Sequence, residues 1–162
     1  MLLSRRDPWF AASSARAFRL HATVSLFIVT SVLGYSAYGQ PLMQPNISVA
    51  QAMQIVDAVI AECNLPGDLI TVSIAVVDRA GQPVMQVRAD TASPHNWELA
   101  FRKAYTARTF RRTSLDWRGR TAGDAEASGQ RALANVIPLG GGVPIMMGDE
   151  PLGGVGVSGA GG

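Results

Sequence analysis

TVSIAVVDRAGQPVMQVRADTASPHNWELAFRKAYTARTFRRT, from Thr71 to Thr113, is the stretch whose reading decides the fold. Thr71, Ser73 and Ala75 alternate with Val72, Ile74 and Val76, the period of a half-buried β-strand. Asp78-Arg79-Ala80-Gly81 brings turn chemistry, with Gly81 available for a positive φ. Alternation resumes from Val84 to Ala89. Ser93-Pro94 then offers an N-cap and a first-turn proline for a helix from about Asn96 to Phe110. In that helix Ala100, Ala104 and Ala107 form a small-residue strip that allows close approach to a sheet, flanked by Phe101 and Tyr105.

Upstream, Ser48 and Gln51 form a capping box, and Val49, Met53, Val56, Ile60 and Cys63 share one helical face. Asn64, Pro66 and Gly67 end that helix. Downstream, Ser114 caps a short helix through Leu115 and Trp117, and Gly119 to Gly129 reads as a loop ending in one helical turn. Val143–Met147 and Leu152–Val157 form a second hairpin around Gly148-Asp149-Glu150-Pro151. Gly154-Val155-Gly156-Val157-Ser158-Gly159 has the letters of a dinucleotide fingerprint. Its valines alternate as in a strand, however, and no helix follows to receive a pyrophosphate. A glycine-rich strand against a close neighbour is the reading adopted.

The order VSIAVVDRAG (Val72–Gly81), K-A-x-T-A (Lys103–Ala107) and GGGVPI (Gly140–Ile145) resembles the GlcG/HbpS-like haem-binding family over roughly Ser48 to Gly159. The resemblance implies an α/β, profilin-like sandwich: a mainly antiparallel sheet of about five strands flanked by helices. It also implies a homo-oligomer. Family members usually continue into a terminal helix that this sequence lacks after Gly159-Ala160-Gly161-Gly162. Haem as cofactor follows from the same resemblance, as do the roles of Lys103 and Thr106, which fill the polar positions of K-A-x-T-A.

Three segments are expected: residues 1–39 as a signal peptide, 40–47 as a linker, and 48–162 as the domain. Arg5, Arg6, Arg16 and Arg19 precede the apolar run Val24–Leu33, and Ala37-Tyr38-Gly39 presents small residues for cleavage. The run is short for a membrane span, although an uncleaved anchor or an organellar presequence would share these features. Periplasmic or secreted location follows, without stable membrane insertion. The formal charge of +2 depends on this leader, since beyond it ten basic side chains meet eleven acidic ones. Nothing in that balance favours nucleic-acid binding.

Hydrophobic residues make up 48% of the chain and charged residues 16%, a composition that packs a core rather than staying disordered. Cys63 is the only cysteine, which excludes an intrachain disulfide and a cysteine-rich zinc site. It fits the core as a small apolar residue. His95 is the only histidine beyond the leader, and so the first candidate for an axial iron ligand. Tyr105, Met85, Met146 and Met147 are chemically possible donors at positions that fit the core. Arg102, Lys103 and Arg108, with Arg111, Arg112, Arg118 and Arg120, make a basic patch suited to carboxylates. The candidate binding set is therefore His95, Arg102, Lys103, Thr106 and Arg108, with His95 as metal ligand. A haem- or tetrapyrrole-binding protein is the leading expectation. The alternatives are an enzyme or accessory factor for a small 2-hydroxy or keto acid, and a structural oligomer with no small ligand; the sequence leaves enzymatic activity undecided.

Overall fold

The computed structural model describes residues 39–63 and 71–160. The expected leader lies outside them except for Gly39, as does the segment after Cys63 expected to end the first helix. The chain divides after Met43, and the fold belongs to the unit that starts at Gln44.

The described elements are α1 (Val49–Cys63), β1 (Ser73–Val77), β2 (Pro83–Arg88), α2 (His95–Phe110), α3 (Ser114–Arg120), α4 (Ala125–Ser128), a 3₁₀ turn (Gly129–Ala132), β3 (Gly142–Met147) and β4 (Glu150–Ser158). The strands form one sheet in the order β2-β1-β4-β3, with every pairing antiparallel. The expected sheet of about five strands is thus four-stranded among the described residues.

β1 is buried on both faces, where alternation predicted half-burial. Ile74 and Val76 pack with Ile47, Ala52, Val56 and Val72 on the α1 side. Ala75 and Val77 meet Ala100 and Ala104 of α2 on the other. Ser73 and Ala75 are small and buried because a helix lies on their face of the strand, while Thr71 stays exposed before β1 begins.

The glycines of β4 complete that contact. An added Cβ at Gly154 or Gly156 would run into the α2 backbone, at the Ala104 and Ala100 carbonyls respectively. Alanines on the helix and glycines on the strand therefore let the two backbones touch. This confirms the strand reading of the glycine-rich run.

Local signals fared unevenly. The Ser48–Gln51 capping box forms as expected: the Gln51 amide donates to Ser48 Oγ at 3.2 Å, and Gln51 Oε1 accepts from the Ser48 amide at 2.9 Å. The buried face of α1 is rotated, however. Ala52 and Val56 are buried, Ile55, Val59, Ile60 and Cys63 pack against the core, and Val49 and Met53 are exposed. Alanine reaches the sheet where methionine would not fit. Thr113, not Ser114, caps α3 by accepting from the Asp116 amide at 3.1 Å. Ser114 is buried and accepts from the Gly142 amide at 2.8 Å. At α2 the N-cap position falls to Pro94 with no side-chain bond, and the Ser93 carbonyl accepts from the Asn96 amide. Met146 and Met147 stand exposed on an edge strand rather than in the core.

Candidate functional site

The α2–sheet contact brings Lys103 to the end of β4. Its side chain is nine-tenths buried. Nζ donates to the Val157 carbonyl at 3.0 Å and to Ser158 Oγ at 3.2 Å, and Ser158 Oγ donates on to Asn96 Oδ1 at 3.2 Å. Both acceptors are neutral, and Lys103 forms no ion pair among the described residues. Burial pushes the ammonium below its ordinary pKa of 10.5.

Lys103 also lines a cavity of about 620 Å³, within the range of small-molecule sites. Leu115 and Arg118 of α3 form one wall, with Leu139, Gly140, Gly141, Val157 and Ala160 around the rest. Gly141 has a φ of +108°, and a Cβ there would meet the Val157 carbonyl oxygen at 2.6 Å and Lys103 Nζ at 3.4 Å. Glycine at this position keeps a side chain from crowding the amine. The site thus joins a buried cation, an exposed guanidinium and apolar walls.

The other sequence-selected residues do not converge there. Thr106 is fully buried: its hydroxyl donates to the Arg102 carbonyl at 2.7 Å and accepts from the Ile137 amide at 2.9 Å. Arg102 donates to Glu98 at 3.2 Å and to the Val136 carbonyl at 2.8 Å, while its Nε is buried without a partner. Arg108 lines a smaller cavity of about 160 Å³ with Arg79, Gly81 and Tyr105, and donates to the Arg79 carbonyl at 2.6 Å. Burial first, then the charges of Arg79 and Arg111, lower the pKa of its guanidinium. His95 is the exposed first residue of α2 and is not among the residues lining either cavity. Among the described residues no group of three or more His, Cys, Asp or Glu could hold a metal ion.

Leu115 and Leu139 carry no local chemical signature, and sequence reading missed them as a wall. Gly140-Gly141-Gly142, by contrast, reads from sequence as a turn that could border a pocket, as Gly140 and Gly141 do. One signal for Lys103 was nevertheless present. It is the sole lysine of the chain, the other thirteen basic side chains being arginine.

Residues 47–162 match the family model described as haem degrading protein HbpS-like. The chain is 30% identical over 124 residues to an uncharacterized 15.0 kDa protein in the dhaT-dhaS intergenic region of Citrobacter freundii, covering 74% of this chain and 83% of that one. Among solved structures, HbpS is similar at 29% identity with a TM-score of 0.69, covering 77% of this chain and 86% of that one. A double mutant of Streptomyces reticuli HbpS is 30% identical with a TM-score of 0.68, over 77% and 83% of the two chains. PduOC, solved as a haem complex, shares the fold with a TM-score of 0.64 at 23% identity, over 72% of this chain and 84% of that one.

Proposed function

Because the chain belongs to the HbpS-like family of haem-degrading proteins, we propose that it is an exported haem- or tetrapyrrole-binding protein that anchors its ligand through the Lys103 cavity. The observation that carries this reading is a buried ammonium without a carboxylate on the wall of a partly apolar cavity. A buried charge of that kind is costly until an anion joins it. Lys103 and Arg118 would take carboxylates such as propionates, and Leu115, Leu139 and Val157 would cover apolar ring edge. The haem-binding relatives, HbpS by family and PduOC by its complex, support the same class of ligand.

The cavity wall offers an amine but no imidazole, thiolate, thioether or phenol. The residues present therefore fit the carboxylate end of a tetrapyrrole. Iron held by imidazole would have to reach His95 outside that wall. Bound iron would supply axial-ligand and redox chemistry; the residues described here anchor, orient and desolvate.

Titration of the exported protein with haemin tests the reading. A saturable Soret shift that weakens in Arg118→Gln and at high salt is the expected result. Flat spectra at all protein concentrations would overturn it. A small carboxylic acid is the second reading, favoured by a wall with no imidazole, thiolate, thioether or phenol among the described residues, and predicts thermal stabilisation by the acid alone.

A further inference from the structure

Thirteen of the fourteen basic side chains are arginine, which stays protonated wherever the protein is folded. The one side-chain amine belongs to Lys103, a nine-tenths buried residue that lines a cavity also lined by a second cation, Arg118. Lysines are ordinarily exposed, and they are rarely buried without a charge partner. Desolvation is one of the conditions that turn a lysine amine into a nucleophile, and burial lowers the Lys103 pKa. We propose that Lys103 condenses with small carbonyl compounds that carry a carboxylate, 2-oxo acids as a class, to form an imine in this cavity.

The geometry assigns each part. The Val157 carbonyl and Ser158 Oγ fix Nζ, and Gly141 places no side chain against it. Arg118 presents a guanidinium fork to the carboxylate of the incoming acid. Leu115, Leu139 and Val157 keep the surroundings apolar, which favours the neutral amine. The ammonium first gives a proton to solvent. The nitrogen lone pair then forms the C–N bond, and one nitrogen proton passes through solvent to the carbonyl oxygen to give a carbinolamine. Loss of that hydroxyl as water, with a proton from solvent, leaves a protonated C=N bond, which returns its N–H proton to solvent to give the imine. Amine plus carbonyl becomes imine plus water, with no change of oxidation state. The inference shares the cavity with the tetrapyrrole reading but does not depend on it.

Borohydride trapping on the full folded protein tests it, with pyruvate as the probe. Borohydride supplies the hydride that reduces the imine to a stable secondary amine. With one lysine in the chain, the adduct can lie only there or on the N-terminal amine, and peptide mass spectrometry separates the two. The expected result is one adduct on Lys103, forming at pH 7.5 about tenfold or more faster than in the urea-unfolded chain. Its rate should climb with pH around a midpoint below 10.5, the ordinary lysine value. Lys103→Arg should abolish it, Arg118→Gln should slow it several-fold, and propanal, which lacks a carboxylate, should react more slowly than pyruvate. The comparison with unfolded wild-type chain keeps the test decisive even where a variant fails to fold. An adduct confined to the N-terminus, or equal rates in folded and unfolded chain, would overturn the proposal. Haemin titration of the same preparation separates the two readings: Soret binding without an adduct rejects the imine alone, and an adduct without Soret binding rejects the tetrapyrrole alone.

Discussion

Lys103 Nζ lies 3.2 Å from Ser158 Oγ, and that hydroxyl lies 3.2 Å from Asn96 Oδ1. A buried ammonium is thereby held by a hydroxyl, an amide behind it and one main-chain carbonyl, all uncharged. Hydrogen bonds to neutral acceptors orient the amine but offset only part of the cost of taking its charge out of water. A ligand carboxylate would offset more. The proposed preference for anions thus follows from the packing of α2 on β4.

That cost sets a pH dependence. The folded-state pKa of Lys103 is depressed below 10.5, so between the two values the unfolded chain binds the extra proton. Stability of the ligand-free protein should rise with pH through this window, and the penalty should be fully relieved above 10.5. Lys103→Met should flatten that slope. Urea midpoints measured from pH 7 to pH 10.5 on both proteins check this, because other alkaline titrations cancel in the difference. Anion binding should follow the opposite course, falling as pH rises through the folded-state value.

The glycines of β4 make a second prediction. Gly156→Ala places a Cβ against the Ala100 carbonyl, where neither backbone can move without separating helix from sheet. A loss of about 1–3 kcal/mol or more is expected from overpacking. Gly148→Ala has nothing within 4 Å of its added Cβ, and its φ of +58° makes it a control for conformational strain alone. Urea unfolding of the two variants separates overpacking from strain.

The same contact shows what the sequence could and could not reveal. Ala100, Ala104 and Ala107 at helical spacing, with Gly154 and Gly156 alternating along a strand, were legible because each pattern has a single economical explanation: a small side chain marks a close neighbour. Val49 and Met53 were misread because periodicity gives a face only to within one residue, and Ala52 outcompetes a methionine where the sheet lies near. The apolar wall of the cavity was invisible for a different reason. Leu115, Arg118 and Leu139 meet Lys103 through tertiary packing of α3 and the turn before β3, and no local spacing encodes that meeting. Thr106, three positions from Lys103, was expected to converge with it on one anion. Its hydroxyl instead joins the Arg102 carbonyl to the Ile137 amide.

Thr106→Val tests that structural role. The valine keeps the shape but leaves the buried Ile137 amide without its acceptor. A loss of about 1–3 kcal/mol is expected for a stranded buried donor. Thr106→Ser should restore most of it by keeping the oxygen. If folded Thr106→Val protein matches wild-type stability, the hydroxyl is not needed there and becomes available for a ligand.

Iron ligation gives the last prediction. His95 is exposed at the first residue of α2, two helical turns or about 12 Å of rise before Lys103. The other imidazole of the chain, His21, falls in the expected leader. If haem iron is held by imidazole in protein lacking residues 1–39, His95→Ala should remove the low-spin spectrum. The affinity contributed by Lys103 and Arg118 should survive and keep its salt dependence. The substitution should leave stability nearly unchanged, since exposed side chains away from packed features contribute little. Optical and paramagnetic resonance spectra of haemin-loaded wild type and His95→Ala check both points. An unchanged low-spin spectrum would exclude His95 and move the iron donor to an amine, oxygen or thioether. Lys103→Met then becomes the deciding variant, because among the described residues of the cavity wall Lys103 is the only side-chain nitrogen besides the guanidinium of Arg118, and its pKa is lowered by burial.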